Sequence, residues 1–127
     1  MSVMRERDLM QAMAALPVPA YIVEIAGLRF LATNKPFQDL LGYSDAELME
    51  MSIETIRPAE DIPLLHRALS ESPPQGFSKW RYLKKDGTVI YATLHYRHVE
   101  CLRDSGERIQ CRCVVIEYWD EQPLRAA

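Results

Sequence analysis

Cysteines are few in this chain, and long apolar runs are missing. Three cysteines occur among 127 residues, an odd number that does not fit a disulfide framework. No apolar run approaches the roughly 18–20 residues that a membrane-spanning helix requires. Residues 1–10 are charged and lack the apolar centre of a secretory signal. These absences predict a cytoplasmic protein that does not contact a membrane.

A large excess of charge of one sign is also missing. The 15 basic and 18 acidic side chains give a net charge of −3, which provides no general attraction for nucleic acid. We therefore expect no direct contact with nucleic acid. Hydrophobic residues make up 48% of the chain, as in a globular domain with a single core.

The order of helical and strand-like patterns predicts an α+β fold. Residues 5–16 carry Leu9, Met13 and Leu16 on one face at helical spacing, with charged residues on the other face. Pro17 ends this amphipathic helix. Two strands, three short helices and three more strands follow. The predicted strands are residues 21–25, 28–33, 77–83, 88–102 and 109–119. The predicted central helices are residues 37–41, a helix that begins after Ser44, and residues 62–70.

Capping residues support the three central helices. Gly42 ends the first helix, because glycine readily adopts the left-handed conformation found there. Ser44 and Glu47 have the spacing of a capping box at the start of the second helix. Asp61 is the candidate cap of the third helix.

A tight charged turn joins the third and fourth predicted strands. Asp86 can brace the turn through its side chain, and Gly87 accepts the positive φ that such turns often need. The two residues therefore predict a β-hairpin between residues 77 and 102.

Three short motifs in this order resemble the PAS family of small sensory domains. They are Asn34-x-x-Phe37 with Gly42-Tyr43-Ser44 and Glu47-Leu48, then Pro58-Ala59-Glu60-Asp61, then Lys85-Asp86-Gly87-Thr88. The resemblance covers residues 16–119. It implies a five-stranded antiparallel sheet with short helices on one face, preceded by the N-terminal amphipathic helix.

The resemblance also implies how the chain is organised. Residues 1–16 form an N-terminal helix that caps the sheet or contacts a partner, residues 17–119 form the PAS domain, and residues 120–127 begin a linker. An output domain, such as a histidine kinase, a cyclic-nucleotide synthase or a DNA-binding module, is expected in the same longer chain. The implied function is to sense a small ligand, to mediate homodimerisation, or both.

PAS ligands bind in a pocket between the helices and the sheet. Alternation along the strands places Trp80 and Tyr82 on one face of the third predicted strand. It places Leu94 and Tyr96 on one face of the fourth. Apolar walls with a few hydroxyl or indole donors are typical of small-molecule sites. The predicted lining is Phe37, Leu41, Ile62, Leu65, His66, Trp80, Tyr82, Leu94 and Tyr96. The alternative is that these side chains fill the core, which would leave a ligand-free dimerisation module.

Two cofactors of the family are not expected here. His66 lies in the helix where haem-binding members place their axial ligand. However, it follows Asp61 by five positions instead of four, which turns the side chain by about 100°. Flavin photoreceptors of the family carry a reactive cysteine before the third strand, whereas the thiols of this chain are Cys101, Cys111 and Cys113. The identity of a ligand therefore stays unknown.

The three thiols have two interpretations. Cys111 and Cys113 point to the same face of a strand, and the hairpin brings Cys101 near them. They are expected to be buried as small hydrophobic side chains. The alternatives are a redox switch, or a zinc site completed by His95 or His98, although the C-x-C spacing alone does not predict a metal.

The last predicted strand is apolar on both faces, so both faces need a cover. The helices cover one face, and the N-terminal helix of the same chain or of a partner can cover the other. In the PAS family such helices often form the dimer contact. The predicted dimer contact comprises Leu9, Met13, Leu16, Val114, Ile116 and Tyr118.

A small α+β enzyme that uses Asp61, His66 and Tyr96 is a further alternative. General base catalysis needs a base with a hydrogen-bonded partner in a pocket, and the sequence contains no fixed Asp–His pair. We therefore expect no catalytic residues.

Overall fold

The computed structural model describes residues 3–122. The helices within them are α1 (Glu6–Ala14), α2 (Lys35–Leu41), α3 (Asp45–Met49) and α4 (Ile62–Glu71). The strands are β1 (Val3–Arg5), β2 (Ala20–Glu24), β3 (Phe30–Thr33), β4 (Gln75–Leu83), β5 (Val89–Leu102) and β6 (Arg108–Gln122). Short 3-10 turns at Ile53–Ile56 and Ala59–Asp61 connect α3 to α4. The predicted order is confirmed, and β1 is an addition to it.

All six strands belong to one sheet. Five of them pair antiparallel in the order β4-β5-β6-β2-β3. β1 pairs in parallel with the far end of β5, where Val3 lies opposite Glu100. The predicted five-stranded antiparallel sheet is therefore confirmed, and β1 adds a sixth, parallel strand that makes the sheet mixed. β4 pairs with β5 only as far as Arg97. The edge of β5 beyond Arg97 is therefore free to pair with β1.

The inner face of the sheet packs against the central helices and forms the larger core, which we call the inner core. Its buried members include Leu65 of α4 and Leu94 of β5. Four aromatic rings form its centre: Tyr21, Phe30, Phe37 and Tyr82. Their contacting centroids lie between 4.8 and 6.4 Å apart. These distances are those of favourable aromatic pairs, so the centre is densely filled.

The outer face of the sheet has a smaller core of its own. Leu9 and Met13 of α1 are buried there together with Ile22 and Cys111 of the sheet, and Leu16 packs against them partly buried. α1 therefore covers part of the sheet of its own chain. The spacing of these apolar residues along the helix explains why one face of α1 is buried and the other solvated.

Four residues of the predicted dimer contact are buried within their own chain, so assigning them to a dimer contact was wrong. Leu9 and Met13 lie in the outer core, between α1 and the sheet. Val114 and Ile116 are fully buried in the inner core. The pairing of β5 with β6 skips Glu117, because Leu94 lies opposite Ile116 while Thr93 lies opposite Tyr118. This β-bulge turns Tyr118 to the outer face, so the assumption of strict alternation through Val114, Ile116 and Tyr118 was wrong.

The predicted helix ends are confirmed in two of three cases. Gly42 ends α2 with a φ of 86°, in the left-handed region. Ser44 and Glu47 form the capping box of α3. Asp61 makes no capping hydrogen bond to α4. Its carboxylate instead accepts two hydrogen bonds from Arg81 of β4, at 2.9 and 2.6 Å, which tie the start of α4 to the edge of the sheet.

The turn between β4 and β5 forms as predicted. Gly87 has a φ of 93°, and Asp86 Oδ1 accepts hydrogen bonds from the backbone N–H and the hydroxyl of Thr88. The backbone N–H of Lys85 donates to the carbonyl of Leu41 at 2.9 Å. The turn therefore fixes the hairpin and anchors it to the end of α2.

Asn34 connects more backbone groups than its position as a cap requires. Its Oδ1 accepts hydrogen bonds from the N–H groups of Phe37 and Ala20 at 3.1 and 3.0 Å. Its Nδ2 donates to the carbonyl of Val18 at 2.8 Å. One buried side chain therefore caps α2 and joins β2 to the segment that leads from α1.

We expect Asn34→Ala to lower the free energy of unfolding by about 3 kcal/mol. About 1 kcal/mol comes from the lost cap, and the rest from buried backbone groups left without a partner. Urea denaturation measures the loss. The matched control is Ser44→Ala, which removes an exposed cap from α3 and should cost only about 1 kcal/mol. Equal losses in the two variants would contradict the structural role assigned to Asn34.

Candidate functional site

A polar cluster lies inside the inner core, which is otherwise apolar and aromatic. The hydroxyl groups of Tyr21 and Tyr82 are 2.7 Å apart. The guanidinium of Arg57 lies 4.2 Å from the ring centroid of Tyr82 and 4.9 Å from that of Trp80. Arg57 follows the 3-10 turn Ile53–Ile56, which directs its side chain into the core. A buried cation of this kind is stabilised by aromatic rings only in part.

Arg57 lacks partners for two of its three nitrogens. Only 5% of the residue is exposed. Its Nη2 donates long hydrogen bonds to the hydroxyl groups of Tyr21 and Tyr82, at 3.4 and 3.3 Å. Its Nε and Nη1 are buried and are without a hydrogen-bond partner, the only such side-chain atoms among residues 3–122. Burial raises the pKa of Tyr82 well above its usual value, so this hydroxyl is neutral and does not balance the charge.

A second buried arginine lies on the sheet side of the same cluster. Arg112 of β6 is 6% exposed, and its guanidinium lies 3.7 Å from the ring centroid of Tyr96. Its Nη1 lies 3.1 Å from His98 Nε2 and donates to Ser72 Oγ at 3.4 Å. Burial lowers the pKa of Arg112, and the positive charge of Arg57 lowers it further. Within residues 3–122, neither arginine forms an ion pair with a carboxylate.

The two arginines line a small, largely enclosed cavity. Its volume is about 10 Å³, which is room for roughly one water molecule. Its walls are Tyr21, Val23, Ile53, Arg57, Leu65, Leu69, Trp80, Leu94 and Arg112. Trp80 also lines a surface groove of about 360 Å³ between α4 and β4. Trp80 therefore lies between the small cavity and the open groove.

The predicted pocket residues are divided between several locations. Leu65, Trp80 and Leu94 line the cavity. Phe37, Leu41, Tyr82 and Tyr96 are buried in the inner core around it. Ile62 is half-buried outside this cluster. Tyr43, a residue of the first motif, packs partly buried against the same core.

His66 does not belong to this site, and placing it in the pocket was wrong. Its Nε2 lies 2.6 Å from Glu54 Oε2 on the protein surface, with about half of the side chain exposed. Leu65 takes the inward position, because successive residues of a helix point about 100° apart. The geometry therefore does not fit an axial haem ligand at His66.

Sequence reasoning missed the residues that make the centre polar. Arg57 stands between Ile56 and Pro58, directly before the motif Pro58–Asp61, and no pattern in the sequence indicated a role for it. Arg112 stands in a strand whose neighbours alternate between two apolar faces. A single arginine at an inward position of such a strand is a signal that could have been used, because arginine is almost never fully buried without a partner.

The three thiols lie on the outer face of the sheet beneath α1. Cys101 and Cys111 are buried in the outer core, and Cys113 packs against it. Burial, with a smaller contribution from the neighbouring Cys101, raises the pKa of Cys111 to about 12 and that of Cys113 to about 11. Among residues 3–122, no group of three or more His, Cys, Asp or Glu side chains could hold a metal ion. The thiols therefore have the surroundings of small hydrophobic side chains.

We expect the folded protein to resist iodoacetamide at about pH 8, because thiols with such raised pKa values form almost no thiolate there. Mass spectrometry should show no adducts on the native chain and three on the urea-unfolded control.

The folded state holds the thiol protons more tightly than the unfolded state. The free energy of unfolding should therefore fall as the pH rises above the ordinary thiol pKa. Rapid modification of one thiol in the native protein would contradict this assignment.

Comparisons with known proteins agree on the architecture. One similar structure is the PAS domain of a two-component sensor histidine kinase, at 16% identity, with 91% of this chain and 95% of that chain covered and a TM-score of 0.69. Another is the PAS domain of an HTR-like protein from Haloarcula marismortui, at 18% identity, with 87% and 88% covered and a TM-score of 0.68. A PAS domain from Desulfitobacterium hafniense is 23% identical, with 84% and 97% covered and a TM-score of 0.65.

The last findings concern similarity of sequence and membrane-spanning helices. The search of curated proteins found no match. No helix within residues 3–122 is long and apolar enough to cross a membrane. The family model described as the PAS fold matches residues 7–118, which is most of the chain. The chain therefore belongs to the PAS family, whose domains are generally sensory rather than catalytic.

Proposed function

We propose that this domain senses a small ligand that binds in the inner core, at the cavity between α4 and the sheet. The observation that carries the proposal is the buried Arg57, whose Nε and Nη1 have no partner. A buried donor without a partner costs about 1–3 kcal/mol, and more when the group is charged. A core selected only for stability would have an apolar side chain at this position. A bound ligand that accepts these hydrogen bonds would offset the cost.

The geometry gives less support to an enzyme. Asp61 is held by Arg81 in a two-bond ion pair, and His66 is paired with Glu54 on the surface. The ring of Tyr96 lies beneath Arg112. The three residues considered for catalysis therefore have separate partners, and none of these contacts joins them into an acid–base pair.

A ligand in this cavity would contact the elements that lead to the chain ends. Arg112 and Leu94 belong to the two longest strands, and β6 continues to Gln122. A shift of these strands would reach whatever follows the domain. We propose that an output domain of the same longer chain receives the change in this way, and that the protein acts in the cytoplasm.

A second proposed role is homodimerisation through the part of the outer face that α1 leaves uncovered. Phe77, Tyr91 and Tyr118 lie there with 68%, 46% and 59% of their surface exposed. Phe77 stacks on His95 with a centroid distance of 4.8 Å, so the aromatic surface extends across β4, β5 and β6. Exposed apolar clusters of this kind often mark protein–protein contacts. Leu16, at the end of α1, extends the same face.

Ligand binding is tested with a matched pair of variants on α4. Leu65 lines the cavity, whereas its neighbour Leu64 is 54% exposed. We expect a native mass spectrum of freshly purified protein to show an excess mass per chain, or thermal unfolding with a metabolite panel to show stabilisation by a ligand. Leu65→Phe should remove this response by filling the cavity, and Leu64→Phe should keep it. A bare chain mass with no stabilising compound would argue for a ligand-free module.

Dimerisation is tested by charge insertion into the aromatic surface. Tyr118→Glu should weaken self-association by tenfold or more in sedimentation equilibrium, because a carboxylate buried in an apolar contact costs at least about 1.4 kcal/mol. Val3→Glu is the control, since Val3 is similarly exposed but lies on β1, at the opposite end of β5 from Tyr91 and Tyr118. A monomeric wild type, or equal weakening in both variants, would exclude this contact.

A further inference from the structure

We infer that the ligand of the inner core is a small carboxylate that binds between Arg57 and Arg112. The inference rests on the proposed sensory function and adds the chemical class of the ligand. Both arginines line the same cavity, and neither is paired with a carboxylate within residues 3–122. Two positive charges that share a buried site without a counterion repel each other, and a carboxylate bound between them offsets one of the two charges while attracting both.

The free donors of Arg57 suit a carboxylate. A guanidinium offers two edges with two donors each, and both edges include Nη2. The second donor of one edge is Nε and that of the other is Nη1, and both of these are unpartnered. Nη2 itself makes only contacts of 3.3–3.4 Å with the tyrosine hydroxyl groups. A carboxylate on either edge would therefore gain a two-bond ion pair at the expense of weak contacts only.

The walls of the cavity favour a short apolar body on the ligand. Apart from the arginines and Tyr21, the lining consists of Val23, Ile53, Leu65, Leu69, Trp80 and Leu94. Such walls do not replace the hydration shell of a phosphate, which needs donors on all sides. A carboxylic acid presents charge at one end and hydrocarbon at the other, and this matches a cavity with guanidinium groups among aliphatic side chains.

Trp80 is the side chain that must move for the ligand to enter. The cavity of about 10 Å³ cannot hold a carboxylic acid, whereas the groove that Trp80 also lines measures about 360 Å³. The indole is half-buried, and its N–H donates to Ser78 Oγ at 2.9 Å. A carboxylate on Arg57 would replace the attraction between the guanidinium and the indole, so binding and displacement of Trp80 are coupled.

Isothermal titration and thermal unfolding with acetate, propionate and butyrate test the inference. Sodium chloride at equal ionic strength controls for screening, and propionamide and butyramide control for shape without charge. We expect saturable binding of at least one carboxylate and no response to the amides. Binding should also change the fluorescence of Trp80, which is measured alone in a Trp119→Phe variant.

Variants assign the binding to the two arginines. Arg57→Met and Arg112→Gln should each raise the dissociation constant about thirtyfold or more, as loss of one partner of a buried charge pair does. Arg57→Lys keeps the charge but loses the planar donor edges, so it should also bind weakly. The control is Arg7→Gln, an exposed arginine of α1. Without ligand, Arg57→Met should be at least as stable as the wild type, because an unpartnered buried charge is removed.

The outcomes separate this inference from the proposed function. Wild-type binding of an amide or another neutral metabolite, without binding of carboxylates, would overturn the carboxylate assignment and leave the sensory function standing. Carboxylate binding that persists in Arg57→Met and Arg112→Gln would place the anion elsewhere and equally overturn it. The absence of any ligand, charged or neutral, would remove both proposals.

Discussion

The structure depends on a sheet that is apolar on both of its faces. Val114 and Ile116 of β6 need cover on the inner side, while Cys111 and Cys113 need it on the outer side. The central helices provide the first cover and α1 the second, so the amphipathic N-terminal helix is part of the folded unit. α1 covers only one end of the outer face, and this leaves aromatic side chains of β4, β5 and β6 exposed to solvent.

Within this frame the inner core departs from what stability alone would favour. Two arginines lie among packed aromatic rings, and their mutual repulsion and lost hydration oppose folding. Aromatic faces and the neutral hydroxyl group of Tyr82 offset only part of that cost. Proteins often carry such locally unfavourable groups at sites of function, where a ligand supplies the missing interaction.

Much of the fold could be predicted from the sequence, and much less of the site. The helix ends at Gly42 and Ser44 and the turn at Gly87 follow from local backbone chemistry, so short motifs predicted them correctly. The bulge at Glu117 left no local signal, and it reversed the face expected for Tyr118. Arg57 and Arg112 are 55 positions apart, and only the folded chain brings them to one cavity.

The most direct test of this account observes Arg57 itself. In a proton–nitrogen correlation spectrum, the Nε–H group of a buried, unpartnered arginine should give a resolved signal that Arg57→Lys removes. Our account predicts that this signal shifts saturably when propionate is added and stays in place when chloride is added at the same ionic strength. A signal that is unchanged by every carboxylate, or that moves equally with chloride, would contradict the claim that the buried charge of Arg57 forms a ligand site.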